Sequence, residues 1–207
     1  MSKTTEIRNI KGVVKRAEAD SRRVEGVAVV FNSWSEDLGG FREKIAPGAL
    51  DGVIERSDIF ALLDHDRRRG ILGRSKRGDQ KSLKLDVRED GLHYAFEAPE
   101  TSLGDEVLSC LERGEIDGSS FAFTVLEDQW ERNGNEYQRT ITKIDELFDV
   151  SPVYSPAYAQ TTCDIRGLDA LKAEEKAAEE RAAAQKAEEE RIALGKYIAD
   201  LKAEINQ

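Results

Sequence analysis

The sequence predicts an α+β protein built on an antiparallel, barrel-like β core flanked by helices, with a long charged helix at its C-terminus. Three observations predict it. Short runs of alternating apolar and polar residues recur from Ile7 to Val153, separated by turn-forming residues. That is the pattern of half-buried strands joined by turns. Helix-forming segments inside that stretch are few and short. Near Arg166 the composition changes, and the rest is mostly Ala, Glu, Lys and Leu without a proline, the strongest helix formers. Residues 1–166 read as a globular part and residues 167–207 as a helical tail.

The elements follow in order. Ile7 to Arg16 and Val24 to Phe31 read as paired strands joined by the polar turn AEADSR. A loop follows, in which Pro47 can open a helix that Ala49 to Ile54 continue. Ile59 to Leu63 (IFALL) is a short apolar run that reads as a buried strand. Ser82 to Val87 and Leu92 to Phe96 flank EDG, a tight hairpin signal. Thr101 and Ser102 can cap a helix from Leu103 to Arg113, with Gly114 past its end. A strand opens at Ile116. Tyr137 to Thr142 and Leu147 to Val153 are two more, with Asn133-Gly134 marking a hairpin. Many strands with few inserted helices favour a closed or nearly closed antiparallel sheet. In the tail, Leu194, Tyr197, Ile198, Leu201 and Ile205 recur at helical spacing, so its end is apolar enough to pack on a partner or on itself. A disordered charged tail is the alternative.

Composition narrows the function. The formal net charge is −10 and the only dense basic run is Arg67 to Arg69, so no phosphate-binding surface is expected. Cys110 and Cys163 are the only cysteines, too few for a disulfide framework, which suits a reducing compartment. The start, MSKTTEIRNIKG, has no apolar core of a signal peptide, and no apolar run approaches the ~20 residues that span a bilayer.

One stretch asks for chemistry. In IDGSSFAFTV, Phe121, Phe123 and Val125 alternate as in a half-buried strand, yet the strand opens with Ser119 and Ser120. A turn explains such a pair, and so does a nucleophile held by the strand behind it. A serine nucleophile needs a base, and the base an orienting partner. The chain has two histidines. His93, in the alternating LHYAF, reads as a structural strand residue. His65 ends the apolar run IFALLDHD, where a buried strand meets a polar loop, a common place for functional residues.

Several segments, in order, resemble the prohead proteases of tailed bacteriophages, which are related in fold to the herpesvirus assemblins. They are VEGVAVVFN, GGFREKIAPGAL, LLDHD with LGRS after it, EDGLHYAFEAP, LERGEIDGSSFAF, and LFDVSPVYSPAYAQT followed by Arg166. The resemblance implies an assemblin-like serine peptidase that uses no cofactor. It implies His65 as base and Ser120, in SSFAF, as nucleophile. Ala122 stands where glycine is common in the family. The third member is implied to be Asp149, in DVSPV, where the family more often has Glu; Asp145 and Glu146 are nearby rivals. On a regular strand Asp145 and Asp149 would share a face and Glu146 take the other. No counterpart of the assemblin arginine pair is found in SPVYSPAYAQ, so the oxyanion donors stay open between backbone N–H groups and an arginine such as Arg74. The resemblance also implies a home in the host cytoplasm inside the viral procapsid. The implied substrate is the major capsid protein with its scaffold segment, and the active form a homodimer.

Two other readings compete. A non-catalytic capsid-assembly or scaffold protein would act through the charged helix. A metal hydrolase would use Asp64, His65, Asp66 and His93, but adjacent residues on a strand point to opposite faces, which suits metal ligation poorly.

Overall fold

The computed structural model describes residues 4–18, 20–76, 81–154 and 166–205, the side chains of 166 and 197–205 excepted. The chain falls into two compact units, Met1–Asp164 and Ile165–Gln207.

The first unit is mixed α and β. Strands β1 (Glu6–Ile10) and β2 (Val14–Arg16) replace the single strand expected from Ile7 to Arg16. The break is at Gly12, whose φ of 71° turns the chain left-handed. Of the two, only β2 pairs with β3 (Arg23–Val30); β1 pairs with a later strand. β4 (Phe41–Ile45) lies in the segment read as loop. Pro47–Leu50 form a 3-10 turn and α1 (Val53–Arg56) is a separate helical turn, because Gly52 between them has φ of 69°. β5 (Phe60–Ala61) is only two residues long, although Ile59 to Leu63 are all buried. It is followed by β6 (Gly73–Arg74), the hairpin β7 (Leu83–Arg88) and β8 (Gly91–Glu97), and α2 (Ser102–Glu112). Thr101 caps α2, its hydroxyl accepting from the Gly104 N–H, a cap of the kind that stabilises a helix by about 1 kcal/mol.

The unit ends with two long strands, β9 (Ile116–Asn133) and β10 (Glu136–Tyr154), turning at Gly134. β10 merges the two strands expected at 137–142 and 147–153. The junction survives as a series of register shifts against β9 between Ile141 and Asp149; an extra residue in one strand of a pair kinks it and raises its twist.

The strands form two open sheets, ordered β1-β9-β10-β5-β6, with β4 also on β10, and β2-β3-β8-β7. This corrects the closed or nearly closed, barrel-like antiparallel sheet expected from the sequence. β4 and β5 both join the far edge of β10 in parallel, along Tyr137–Ile141 and Asp149–Val150. The chain passes between sheets at Gly12, where Val13 bonds both ways: its N–H donates to Asp117 O and its carbonyl accepts from the Val27 N–H. The sheets are therefore tied at a corner rather than joined in one ladder. Phe121, Phe123, Leu92, Phe96 and Leu147 are among the residues of the buried core, each contributing about 1.5–3 kcal/mol by leaving water.

The second unit is one helix, α3 (Arg166–Ile205). Ile192 and Leu194 are exposed on it; the side chains of Tyr197, Ile198, Leu201 and Ile205 lie outside the described residues. Among the described residues no helix is long and apolar enough to cross a membrane.

Candidate active site

The two serines of IDGSSFAFTV part company because strand side chains alternate. Ser119 faces the core, where its hydroxyl donates to the Tyr94 hydroxyl of the other sheet at 3.2 Å. Burial pushes the Tyr94 phenol up, against a smaller opposing effect of that hydrogen bond. Phe121 and Phe123 share this face and stack with ring centroids 4.9 Å apart. Ser120 faces the other way, with Gly118 and Ala122. Its register partners are Asn9 on β1 and Ser151 on β10, and cross-strand partners share a face. Asp149 is the register partner of Ala122. Ser120, Ser151, Ala122 and Asp149 thus form a small-residue patch on one side of the central strands.

His65 reaches that patch from above. β5 runs parallel to β10, with Phe60 level with Asp149 and Ala61 with Val150. The chain then turns sharply at Asp64 and His65, whose φ values are 55° and 60°. Left-handed backbone in non-glycine residues costs about 1–3 kcal/mol each and persists only where surrounding structure holds it. Here the Asp64 N–H donates to Pro152 O at 3.0 Å, and the Asp66 N–H closes the turn onto Leu63 O. The imidazole and the carboxylate are thereby held to the same strand.

The result is a row of three side chains. His65 Nδ1 lies 2.6 Å from Asp149 Oδ1 and His65 Nε2 lies 2.5 Å from Ser120 Oγ. A carboxylate only accepts, so Nδ1 carries the hydrogen and Nε2 offers its lone pair to the serine hydroxyl. Ser120 Oγ also sits 2.9 Å from the carbonyl oxygen of Arg8 on β1. One hydroxyl proton therefore has two acceptors. Ser120 is fully buried, while the His65 and Asp149 side chains are 19% and 10% exposed, so the row meets solvent mainly at its central imidazole.

Register shifts separate the acids along β10. Thr142, Asp145 and Phe148 each sit at a shift in the pairing of β10 with β9, so the parity expected of a regular strand does not carry from 145 to 149. Glu146 is exposed. The Asp145 carbonyl accepts from Arg56. Asp149 is the acid bonded to His65. Ser151, which the sequence reading passed over, donates to Asp149 Oδ1 at 2.6 Å. The signal was available: Asp and Ser two apart on a strand share a face.

The remaining candidates lie elsewhere. Arg74 makes a bidentate pair with Asp58, which holds that carboxyl below the usual range. It also lies over the Phe60 ring. His93 is on β8 in the other sheet, bonded to Asp90 and beside Arg88. Asp66 caps the turn at Arg67–Arg69 by accepting from the Arg68 N–H. Among the described residues no group of three or more His, Cys, Asp or Glu is placed to hold a metal ion. The segment 155–165, where an arginine pair was sought, lies outside the described residues.

β1 is fixed by charge on the core side. Arg8 pairs with Glu6 and Glu43, and Arg139 pairs with the same two carboxylates and with Asp128. Glu6, Arg8, Glu43 and Arg139 are all buried. The network joins β1, β4 and β10, and so sets where the Arg8 carbonyl meets Ser120.

A serine, an imidazole and a carboxylate in this order are the parts of a serine hydrolase. Residues 11–175 match the model of the caudovirus prohead serine protease family. That is well over half of the chain, and the protein belongs to this family of capsid-maturation serine proteases. Among solved structures it is similar to the bacteriophage T4 capsid assembly protease, gp21, with 11% identity over 73% of this chain and 99% of that one and a TM-score of 0.48. No curated protein matches the chain.

Proposed function

We propose that the protein is a serine endopeptidase in which Ser120 is the nucleophile, His65 the general base and Asp149 the group that orients His65. The observation that carries this is the row Ser120–His65–Asp149, with contacts of 2.5 and 2.6 Å. A serine hydroxyl is a weak nucleophile at neutral pH. As Oγ attacks the scissile carbonyl, Nε2 takes its proton, and Asp149 stabilises the imidazolium through Nδ1–H. The proton then passes to the leaving amine, and water repeats the sequence on the acyl-enzyme. The Arg8 carbonyl competes with Nε2 for the hydroxyl proton.

The substrates are the major capsid protein and its scaffold segment, met inside the procapsid. The enzyme also cuts itself between about Arg166 and Gly195, and it is active as a homodimer. α3 is helical over that stretch, so it must unwind locally before it can enter an active site. Gly195 is a weak point, since glycine within a helix costs roughly 1 kcal/mol. The C-terminal end of α3 brings the enzyme to the assembling shell by packing on a helical partner.

The test uses a fluorophosphonate, which labels serines activated by a base. The wild-type protein should take the label on Ser120, located by peptide mass, and His65→Ala should lose it. Labelling of a different serine, or equal labelling without His65, would overturn the assignment.

A further inference from the structure

Asp149 Oδ1 receives two hydrogen bonds of 2.6 Å, one from His65 Nδ1–H and one from the Ser151 hydroxyl. Only the first joins the carboxylate to the imidazole. We propose that Ser151 is a positioning residue for the reaction, holding the Asp149 carboxylate in the rotation that meets His65. The inference rests on the Ser120–His65–Asp149 reading.

Three observations lead to it. First, an aspartate's terminal torsion is broad and roughly two-fold, so the short side chain does not by itself aim one oxygen at an imidazole. A donor two residues along the same strand, on the same face, removes that freedom without adding a moving part. Second, Ser151 is fully buried. A buried hydroxyl is costly unless it is bonded, and here the bond goes to the carboxylate. Third, Ser151 is the register partner of Ser120 on the same face. The strand pairing that places the nucleophile therefore also places the donor on the orienting acid.

The Ser151 hydroxyl donates to Asp149 and is not bonded to Ser120 or His65, so it acts through that carboxylate.

The experiment labels full-length Ser151→Ala with the same fluorophosphonate over a concentration series. A parallel proton NMR measurement follows the low-field Nδ1–H resonance of His65, assigned by its loss in His65→Ala. The expected result is a saturating labelling rate lower by about ten- to a hundredfold, the scale of a small misplacement in an active site. The half-saturating concentration should be unchanged and the resonance shifted. Wild-type labelling with an unmoved resonance would overturn the proposal. So would slow labelling that comes wholly from a raised half-saturating concentration with the resonance in place, since that describes damage to the binding surface. If Ser151→Ala fails to fold in a thermal melt, Ser151→Cys replaces it. Its thiol has the right shape but is a poor donor, so a partial rate loss with a shifted resonance is expected, and wild-type values in both readouts overturn the proposal. A wild-type chain that takes no label on Ser120 would instead overturn the Ser120–His65–Asp149 reading, and this inference with it.

Discussion

Ser119 and Ser120 are adjacent and equally buried, yet one residue of strand register gives them opposite tasks. Ser119 spans the two sheets to Tyr94, while Ser120 meets His65. Ser119→Ala should therefore keep activity while lowering stability by about 1 kcal/mol, the worth of a typical buried hydrogen bond. Denaturant unfolding and an activity assay on the same sample check this. Loss of activity in Ser119→Ala with retention in Ser120→Ala would reverse the two. Asp149→Ala should lose less activity than His65→Ala, because an orienting group costs less than the base it serves. Wild-type rates in Asp149→Ala with loss in Glu146→Ala would move the third role to Glu146. At this scale much was legible in the sequence. The alternation Phe121, Phe123 pointed to the face Ser120 avoids, and IFALL followed by Asp-His marked the strand end that carries His65. The bulges of β10 were not legible, because an extra residue leaves no mark in the apolar pattern, and they spoil the parity argument for Asp145. The left-handed turn at Asp64 and His65 was also hidden, since its cause is the distant Pro152 carbonyl.

At the scale of elements, the two long strands carry the site and the short ones position it. β5 is two residues long and could not stand alone, but it is covered by β6 and β10 and brings His65 to Asp149. β4 was read as loop because FREKI sets three charged residues, Arg42, Glu43 and Lys44, in a row, which breaks the apolar alternation of a strand. Its Glu43 is buried only because Arg8 and Arg139 meet it there, and no local pattern announces a partner 35 or 96 residues away. The network makes a prediction of its own. Removing one member of a buried ionic cluster leaves the others unpaired, at a cost of about 3–5 kcal/mol. Arg139→Met should destabilise the protein by that amount in urea, far more than Lys143→Met, whose partner Glu127 is exposed. Equal, small effects of both would show that the buried cluster does not hold β1 and β4 to β10.

On the scale of the whole molecule, the globular unit and α3 differ in what the sequence could say of them. The change of composition at Arg166 marks the helix directly, since Ala, Glu, Lys and Leu need no tertiary partner to favour it. The open pair of sheets was harder. Alternation gives the strands and their faces, but not which edge of β10 receives β4 and β5, or that they arrive in parallel. A chain truncated at Gly167 should retain fluorophosphonate labelling of Ser120 and fail to enter procapsids. Normal incorporation of the truncated chain would remove the targeting role from α3. The most direct measurement of the central claim is intact mass after the enzyme is incubated with the major capsid protein precursor. Wild-type protein should convert the precursor to shorter chains of defined mass, and Ser120→Ala, folded to the same melting temperature, should leave it whole. A precursor cut equally by both would contradict Ser120 as the nucleophile.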